Sequence, residues 1–267
     1  MSKRYFVDVG GLDVFVNETG KADGPPLLLL HGGWATGKMN WSSHFSWLGQ
    51  KYRIISPDSR GHGKTPDPTP SETTYATIAR DNIALCKALC IDGGELTIMG
   101  HSAGAAVGMI ISAIVPNMVA KQVLIAIAMD HGLSDKHRAG MRAFFHTHDH
   151  RFPPKKWDYV WRHPFYAIAL KQAHKRANWY QLLVDAWPRW ISPLPIGVSD
   201  LEEIVAETIV ISGCEDEFVA VAEAGKLAAR LPGPPPKFID GMKHMFVIEK
   251  PQRLQESVAD FLDLPIP

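Results

Sequence analysis

The first third of the chain carries the hydrophobic patterns of β-strands separated by turns. Residues 5–9 and 12–17 lie on either side of Gly10-Gly11, and apolar runs follow at 27–30 and 53–56. Such runs, bounded by glycine or proline, are typical of strands. A continuous apolar run such as 27–30 indicates a strand buried on both faces, as in a parallel sheet that helices cover.

Helical and strand patterns then alternate along the chain. Apolar residues recur at three- and four-residue spacing over 75–90, which predicts an amphipathic helix. This alternation predicts βαβ units and an α/β fold. The further predicted elements are strands at 96–99, 122–128, 208–212 and 237–239, and helices at 103–115, 219–230 and 252–262.

Residues 131–190 interrupt this alternation. The segment is rich in His, Trp, Arg and Lys and shows helical periodicity without a strand pattern. We predict a core of residues 1–130 and 191–267, with 131–190 inserted as a helical cap. The cap holds eleven Lys and Arg against four acidic residues, a net charge of +7. Such a surface could attract an anionic substrate, although a solvated basic helix face is the simpler interpretation.

The composition is that of a soluble globular protein. Of 267 residues, 46% are hydrophobic and 21% are charged, and Lys+Arg equals Asp+Glu. These values exclude a mainly disordered chain, and the zero net charge gives no reason to expect nucleic acid or a membrane as partner. The longest apolar stretch, 105–115, is shorter than the roughly 18 residues that span a bilayer. With no signal-peptide pattern in view, we expect a cytoplasmic monomer or homodimer.

The clearest chemical motif is the G-x-S-x-G sequence at 100–104, between a predicted strand and a predicted helix. At so tight a turn, a side chain at either glycine position would collide with the backbone. Ser102 is therefore the candidate nucleophile. The backbone N–H of Ala103, at the helix N-terminus, is a candidate donor to an oxyanion. A helix start made of small residues is the alternative interpretation.

A serine nucleophile needs a base, and the base needs a carboxylate that orients it. His244 lies between the last predicted strand and the last predicted helix and is the candidate base, with a surface histidine as the alternative. Asp216 follows a predicted strand and is the candidate acid; Asp130, after an earlier strand, is its rival. Glu215 and Glu217 are expected to point elsewhere.

The loop His31-Gly32-Gly33-Trp34 follows the apolar strand at 27–30. Its glycines let backbone N–H groups approach a substrate oxygen, so the N–H of Gly33, with that of Trp34 as a further candidate, is the expected second oxyanion donor. Trp34 and His101 are the candidate substrate contacts. A buried core position is the alternative for the Trp34 side chain.

These motifs together resemble the α/β-hydrolase superfamily over essentially the whole chain. The matching positions are the glycines after His31, the segment D-S-R-G-H-G at 58–63, Ser102, Asp216 and His244, in the family's order of nucleophile, acid and base. The resemblance implies a mostly parallel eight-stranded sheet with helices on both faces, a Ser-His-Asp triad, no cofactor and a cap. It also implies a structural role for 58–63. A serine at this turn argues against haloalkane dehalogenases and epoxide hydrolases, which use aspartate there.

A second motif, His146-Thr147-His148-Asp149-His150, raises the question of a metal site. It resembles the zinc signature of metallo-β-lactamase-like hydrolases but lacks one residue between His148 and Asp149. The order of strands and helices also differs from that family. We therefore expect no metal.

The function expected from these residues is hydrolysis of a small carboxylic ester through an acyl-enzyme. A C–C bond hydrolase, a lactonase or an amidase would use the same triad, because the triad does not determine the leaving group. A hydroxynitrile lyase and a small-molecule receptor on a hydrolase scaffold are further alternatives. Aromatic residues cluster in the cap, which favours a small-molecule substrate with an apolar part.

Overall fold

A single eight-stranded sheet organises the computed structural model, which describes residues 2–127, 164–174, 179–182, 194 and 196–267. The strands are β1 (Lys3–Asp8), β2 (Asp13–Gly20), β3 (Pro26–Leu30), β4 (Arg53–Pro57), β5 (Leu96–His101), β6 (Val119–Ile125), β7 (Glu207–Gly213) and β8 (Lys237–Ile239). They lie in the order β1-β2-β4-β3-β5-β6-β7-β8. β2 pairs antiparallel with β1 and β4, and β3 to β8 are parallel. The predicted mostly parallel α/β sheet is confirmed.

Helices cover both faces of this sheet. In chain order, the described helices are α1 (Gly37–Trp41), α2 (Phe45–Leu48), α3 (Tyr75–Ala88), α4 (Ala103–Ile114), α5 (Pro164–Ala173), α6 (Val198–Glu202), α7 (Val221–Ala228), α8 (Phe246–Glu249) and α9 (Pro251–Val258). Short 3₁₀ turns lie at Pro70–Glu72 and Pro116–Met118. No helix in the described part of the chain is long and apolar enough to cross a membrane.

The apolar run in β3 is buried on both faces, as its sequence predicts. Leu28 and Leu30 belong to the cluster that includes side chains of α3, α4 and α7. Leu27 and Leu29 belong to the opposite cluster, which includes side chains of α1, α2, α8 and α9. The alternation of side chains along a strand thus places each half of one short run in a different core layer.

Several element boundaries differ from the sequence prediction by a few residues, and two of these differences have a visible cause in the backbone. β6 ends at Ile125 instead of residue 128, because Ala126 takes a positive φ of 55° and turns the chain away while staying buried. α3 ends at Ala88 instead of residue 90. Cys90 takes a positive φ of 57°, and the N–H of Ile91 donates to the carbonyl of Cys86. This is a Schellman termination without the glycine that usually marks it.

Most of the range predicted as a cap, along with the rival acid Asp130 and the His146–His150 motif, lies outside the described residues. Within that range, the helix α5 is described, and it bears on the site. The parallel strands β3, β5, β7 and β8 end at the same edge of the sheet. The loops that carry His31–Trp34, Ser102, Asp216 and His244 follow these four ends, so all of them meet at one edge.

Candidate active site

Ser102 occupies a strained turn between β5 and α4. Its φ of 53° and ψ of −117° are uncommon for a residue with a side chain. A Cβ atom at Gly100 would lie 2.4 Å from the Gly104 carbonyl oxygen, and one at Gly104 would lie 2.2 Å from the Leu30 carbonyl oxygen. Both contacts are impossibly short, so the expectation that this turn requires glycine at both positions is confirmed.

The structure brings Ser102, His244 and Asp216 into one hydrogen-bonded series. His244 Nε2 lies 3.0 Å from Ser102 Oγ, and His244 Nδ1 lies 2.9 Å from Asp216 Oδ2. The two outer members come from loops after β5 and β7, and His244 follows β8. His244 is 7% exposed and Asp216 is 9% exposed, so bulk water is largely kept from their contact.

The Asp216 carboxylate is held by its own loop. Its Oδ1 accepts hydrogen bonds from the backbone N–H groups of Phe218, at 2.8 Å, and Val219, at 2.9 Å. Burial alone raises the pKa of Asp216, but His244 and these two N–H groups outweigh burial and hold the pKa below its ordinary value. The group therefore stays ionised and faces His244 as a negative charge.

His244 is poised to accept a proton. Burial alone lowers its pKa, but the charge and hydrogen bond of Asp216, with a smaller contribution from Glu217, raise the pKa above its ordinary value. Glu217 Oε2 also accepts the backbone N–H of His244 at 3.2 Å. The expectation that Glu217 points away from the site is therefore wrong. The loop after β7, which carries Glu217, turns at Asp216, whose N–H donates to the Gly213 carbonyl.

The residues of the two expected oxyanion donors line the same cavity. Gly33 and Ala103 both line a small cavity whose other walls include the apolar side chains of Ile78 and Val107. Gly104 packs directly against the backbone at the end of β3, so the turn at Ser102 and the loop that carries Gly33 are in contact.

The side chain of His101 is buried. It is 1% exposed; its Nε2 donates to the His244 carbonyl at 3.0 Å, and its Nδ1 lies 3.2 Å from Asn40 Oδ1. Burial, followed by the charge of His244, lowers the pKa of His101 to about 3, so the ring is neutral. The expectation that His101 contacts substrate stays a prediction. In this structure its Nε2–H holds the loop of His244, while its bare Nδ1 faces the Asn40 oxygen, which is also an acceptor, so no hydrogen bond joins these two side chains.

Asn40 is hydrogen-bonded to the loop after β3. Its Oδ1 accepts the backbone N–H of Gly32 at 3.0 Å, next to the expected donor Gly33. Asn40 is buried in α1, and sequence reasoning did not single it out. One asparagine in a short helix carries no local signal of such a contact.

Trp34 is also a core residue. Its side chain is 5% exposed, which fits the alternative of a buried tryptophan better than a substrate contact. Its backbone has a φ of 63°, and its carbonyl accepts a hydrogen bond from His174 Nε2 at 2.8 Å. His174 directly follows α5, and sequence reasoning did not identify it either.

The segment 58–63 forms hydrogen bonds with the loop after β3 and with the start of α1. Asp58 Oδ1 accepts the N–H of Gly37, and Asp58 Oδ2 accepts the N–H of Lys64. The N–H of Ser59 donates to His31 Nε2 at 2.9 Å. Burial lowers the pKa of His31 to about 4, so its ring stays neutral and accepts this bond. These contacts fit the structural role that the resemblance implies for this segment.

Among the described residues, no group of three or more His, Cys, Asp and Glu side chains could hold a metal ion. The His146–His150 motif falls outside those residues.

A hydrogen-bonded series of serine, histidine and aspartate activates its nucleophile by proton transfer to the imidazole.

Comparisons with known proteins match most of the chain. A family model described as the Alpha/beta hydrolase family matches residues 27–256. The 2-hydroxy-6-oxo-6-(2'-aminophenyl)hexa-2,4-dienoic acid hydrolase of Metapseudomonas resinovorans is 27% identical over 96% of this chain and 90% of its own length. The magnesium-chelatase 30 kDa subunit of Rhodobacter capsulatus is 37% identical, but over only 46% of this chain and 42% of its own length.

Solved structures share the fold at lower identity. The meta-cleavage product hydrolase of Pseudomonas fluorescens IP01, solved as an S103A mutant with acetates, has a TM-score of 0.78 and 21% identity. The match covers 98% of this chain and 97% of that protein. At this identity the likeness supports the fold alone.

Proposed function

Because the chain belongs to the alpha/beta hydrolase family, we propose that it is a serine hydrolase that cleaves a small carboxylic ester through an acyl-enzyme. The observation that carries the proposal is the series Asp216–His244–Ser102, with heavy-atom distances of 2.9 and 3.0 Å. The 3.0 Å distance is within the reach of a general base acting on its nucleophile, and the 2.9 Å distance is that of the hydrogen bond by which the carboxylate orients the base.

In the first half of the reaction, Ser102 Oγ attacks the ester carbonyl carbon while His244 Nε2 accepts the hydroxyl proton. The negative charge of Asp216 stabilises the imidazolium and keeps the proton of the neutral ring on Nδ1. The backbone N–H groups of Ala103 and Gly33 donate to the oxyanion. The imidazolium then protonates the leaving alcohol, and the C–O bond breaks.

In the second half, water attacks the acyl-enzyme and His244 accepts its proton. The carbonyl oxygen again becomes an oxyanion, so the same two backbone donors act twice in each cycle. Each such donor contributes about 3 kcal/mol to lowering the barrier in enzymes of this kind. Collapse of the second tetrahedral intermediate returns the proton to Ser102 and releases the carboxylic acid.

We further propose that residues 131–190 form a cap over this site and that the substrate carries an apolar part. The contacts of His174 with the loops after β3 and β4 support the first point, because they bring part of that range to the edge of the sheet. The apolar walls beside Gly33 and Ala103 support the second.

Hydrolysis of a C–C bond beside a ketone is the second candidate. It is favoured by the match over 96% of the chain to a protein named as a hydrolase of a 2-hydroxy-6-oxo-hexadienoic acid. The triad would serve this substrate too, since water adds across a C–C bond in place of a C–O bond. The two reactions differ in the leaving group: the proton goes to an oxygen atom when an ester is cleaved and to a carbon atom when the C–C bond is cleaved.

A direct test measures hydrolysis of p-nitrophenyl esters from acetate to dodecanoate by the wild type and Ser102→Ala. We expect the substitution to lower kcat by roughly 10³-fold or more. Ser43→Ala, at an exposed serine, is the matched control and should retain wild-type activity. Equal activity of wild type and Ser102→Ala would overturn the serine mechanism. No ester turnover, combined with Ser102-dependent cleavage of a 2-hydroxy-6-oxo-hexadienoic acid, would favour the second candidate.

A further inference from the structure

His174 joins two loops at the edge of the sheet where the candidate site lies. It directly follows α5, within the range predicted as the cap, and is 2% exposed. Its Nδ1 accepts the backbone N–H of Gly63 at 2.9 Å, and its Nε2 donates to the Trp34 carbonyl at 2.8 Å. Neither contact belongs to the triad.

These two partners require one form of the His174 ring. A backbone N–H can only donate and a carbonyl can only accept, so Nδ1 must be bare and Nε2 must carry the proton. Burial lowers the pKa of His174, which favours this neutral form. The ring of His62 lies 5.7 Å away in an edge-on arrangement, and among the described residues Asp58 and His31 are the charged or titratable groups that act on it.

The Gly63 end of this bridge is rigid. The Asp58 carboxylate accepts the N–H groups of Lys64 and Gly37, and a Cβ atom at Gly63 would lie 2.1 Å from Asp58 Oδ2. Gly63 therefore packs against a carboxylate that is itself hydrogen-bonded on both oxygens. The loop after β4 is therefore fixed at Gly63, and the hydrogen bond from Gly63 to His174 fixes His174 in turn.

The Trp34 end is strained. A φ of 63° is an outlier for a bulky residue, and such conformations persist only where the surroundings hold them. The preceding residue is Gly33, whose N–H the proposed function uses as an oxyanion donor. Rotation of the Trp34 backbone toward an ordinary conformation would turn the peptide group that joins Gly33 to Trp34, and through it would displace Gly33, whose N–H lies on the preceding peptide.

We propose that His174 is a positioning residue for the oxyanion loop: its Nε2–H bond to the Trp34 carbonyl holds that backbone in its left-handed conformation and so keeps the Gly33 N–H aimed at the oxyanion. The inference rests on the proposed serine mechanism and adds to it a contribution from the segment around α5. It concerns the transition state, because a misplaced donor weakens binding of the oxyanion more than binding of the neutral ester.

Two conservative variants separate the two contacts of His174. In His174→Gln the side-chain amide nitrogen reaches the position of imidazole Nε2, so the bond to Trp34 is kept. In His174→Asn the amide oxygen takes the position of Nδ1, so only the bond to Gly63 is kept. We expect His174→Gln to retain kcat within about threefold, and His174→Asn to lower kcat about tenfold with KM little changed, as loss of one hydrogen bond to a transition-state element predicts.

The affinity for a tetrahedral adduct is the second readout. Inhibition by n-butylboronic acid, which forms a tetrahedral adduct with a serine hydroxyl, should weaken in His174→Asn in proportion to the loss of kcat/KM. Gln172→Ala, at an exposed position of α5, is the matched control and should leave both quantities unchanged. Thermal unfolding of each variant reports whether the protein is folded at the assay temperature.

Equal losses in His174→Gln and His174→Asn would overturn the inference, because they would point to packing of the ring instead of the bond to Trp34. Wild-type kcat in both variants would overturn it as well. The proposed function is tested separately by Ser102→Ala: activity that survives this change contradicts the serine mechanism whatever the His174 variants do.

Discussion

The two sides of the candidate site are anchored differently. Asp216 and His244 lie on loops after the neighbouring strands β7 and β8, and backbone hydrogen bonds join these loops directly: the N–H of Glu215 donates to the Met242 carbonyl, and that of Cys214 donates to the Ile239 carbonyl. On the other side, the loop of Gly33 contains the strained Trp34. It receives contacts from Asn40, from Ser59 and from His174, which is 140 positions from Trp34.

The difference follows from what each side presents to the substrate. A carboxylate or an imidazole is a side chain, and a few hydrogen bonds from its own loop can orient it. A backbone N–H is fixed in the peptide plane and cannot rotate as a side chain can. Its direction is therefore set by the conformation of the chain and by the neighbours that hold this conformation. We therefore expect changes on the acid–base side to act through charge, and changes on the oxyanion side to act through geometry.

The largest effect should come from the acid–base side, with Asp216→Asn. The amide can hold the His244 ring in the wrong tautomer and supplies no charge to the imidazolium, so kcat should fall roughly 10³- to 10⁴-fold. Asp92→Asn, at an exposed position, is the control and should have no effect. Steady-state kinetics on p-nitrophenyl acetate measures both. A loss of less than tenfold would show that another acid, with Asp130 the first candidate, orients His244.

Gly104→Ala should affect the contact between the Ser102 turn and the oxyanion loop. Its Cβ would lie 2.2 Å from the Leu30 carbonyl oxygen and 2.6 Å from that of His31. Overpacking of this kind lowers the free energy of unfolding by about 1–3 kcal/mol, and we expect kcat to fall as the turn and the loop move apart.

Gly93→Ala is the matched glycine control for this change. Its Cβ would meet nothing within 4 Å, and its backbone has no positive φ, so stability and kcat should both be retained. Chemical denaturation and the ester assay give the two quantities. Unchanged kcat in a folded Gly104→Ala would contradict the view that geometry governs the oxyanion side.

The smallest effect should come from Glu217→Gln, which changes charge with little change in shape. The glutamine oxygen can still accept the N–H of His244, but the negative charge that helps to raise the pKa of His244 is gone. The imidazolium is then less stable, so the base is neutral down to lower pH. The acidic limb of the kcat/KM profile lies above that of an ordinary histidine in the wild type, because the pKa of His244 is raised, and it should move to lower pH in Glu217→Gln.

The exposed neighbour Glu215 supplies the control for this shift, since Glu215→Gln alters charge without a contact to the His244 backbone. Its profile should match that of the wild type more closely than the profile of Glu217→Gln does. A shift of the acidic limb to higher pH in Glu217→Gln would contradict the sign of this charge effect.

Sequence reasoning predicted the strands well because their signals are local. The apolar run of β3 and the helix signals of α3 and α4 lie within a few residues, and so does the G-x-S-x-G turn. The end of β6 was not predictable in this way, since Ala126 and Ile127 are as apolar and as buried as the strand before them. The end of the strand depends on the backbone conformation of Ala126, which the hydrophobicity of its side chain does not encode.

The amino-acid sequence by itself determined the α/β order, the glycine-bounded serine and the order of Ser102, Asp216 and His244 along the chain. Only the tertiary structure decided which other polar residues hold the site residues in position. Asn40, Glu217 and His174 form hydrogen bonds with backbone groups, and two of these residues reach partners far away in the chain: Glu217 lies 27 positions from His244, and His174 lies 111 positions from Gly63. No local pattern encodes such a contact, because a hydrogen bond depends on distance and direction in space, and these are set only when the sheet brings its loops together.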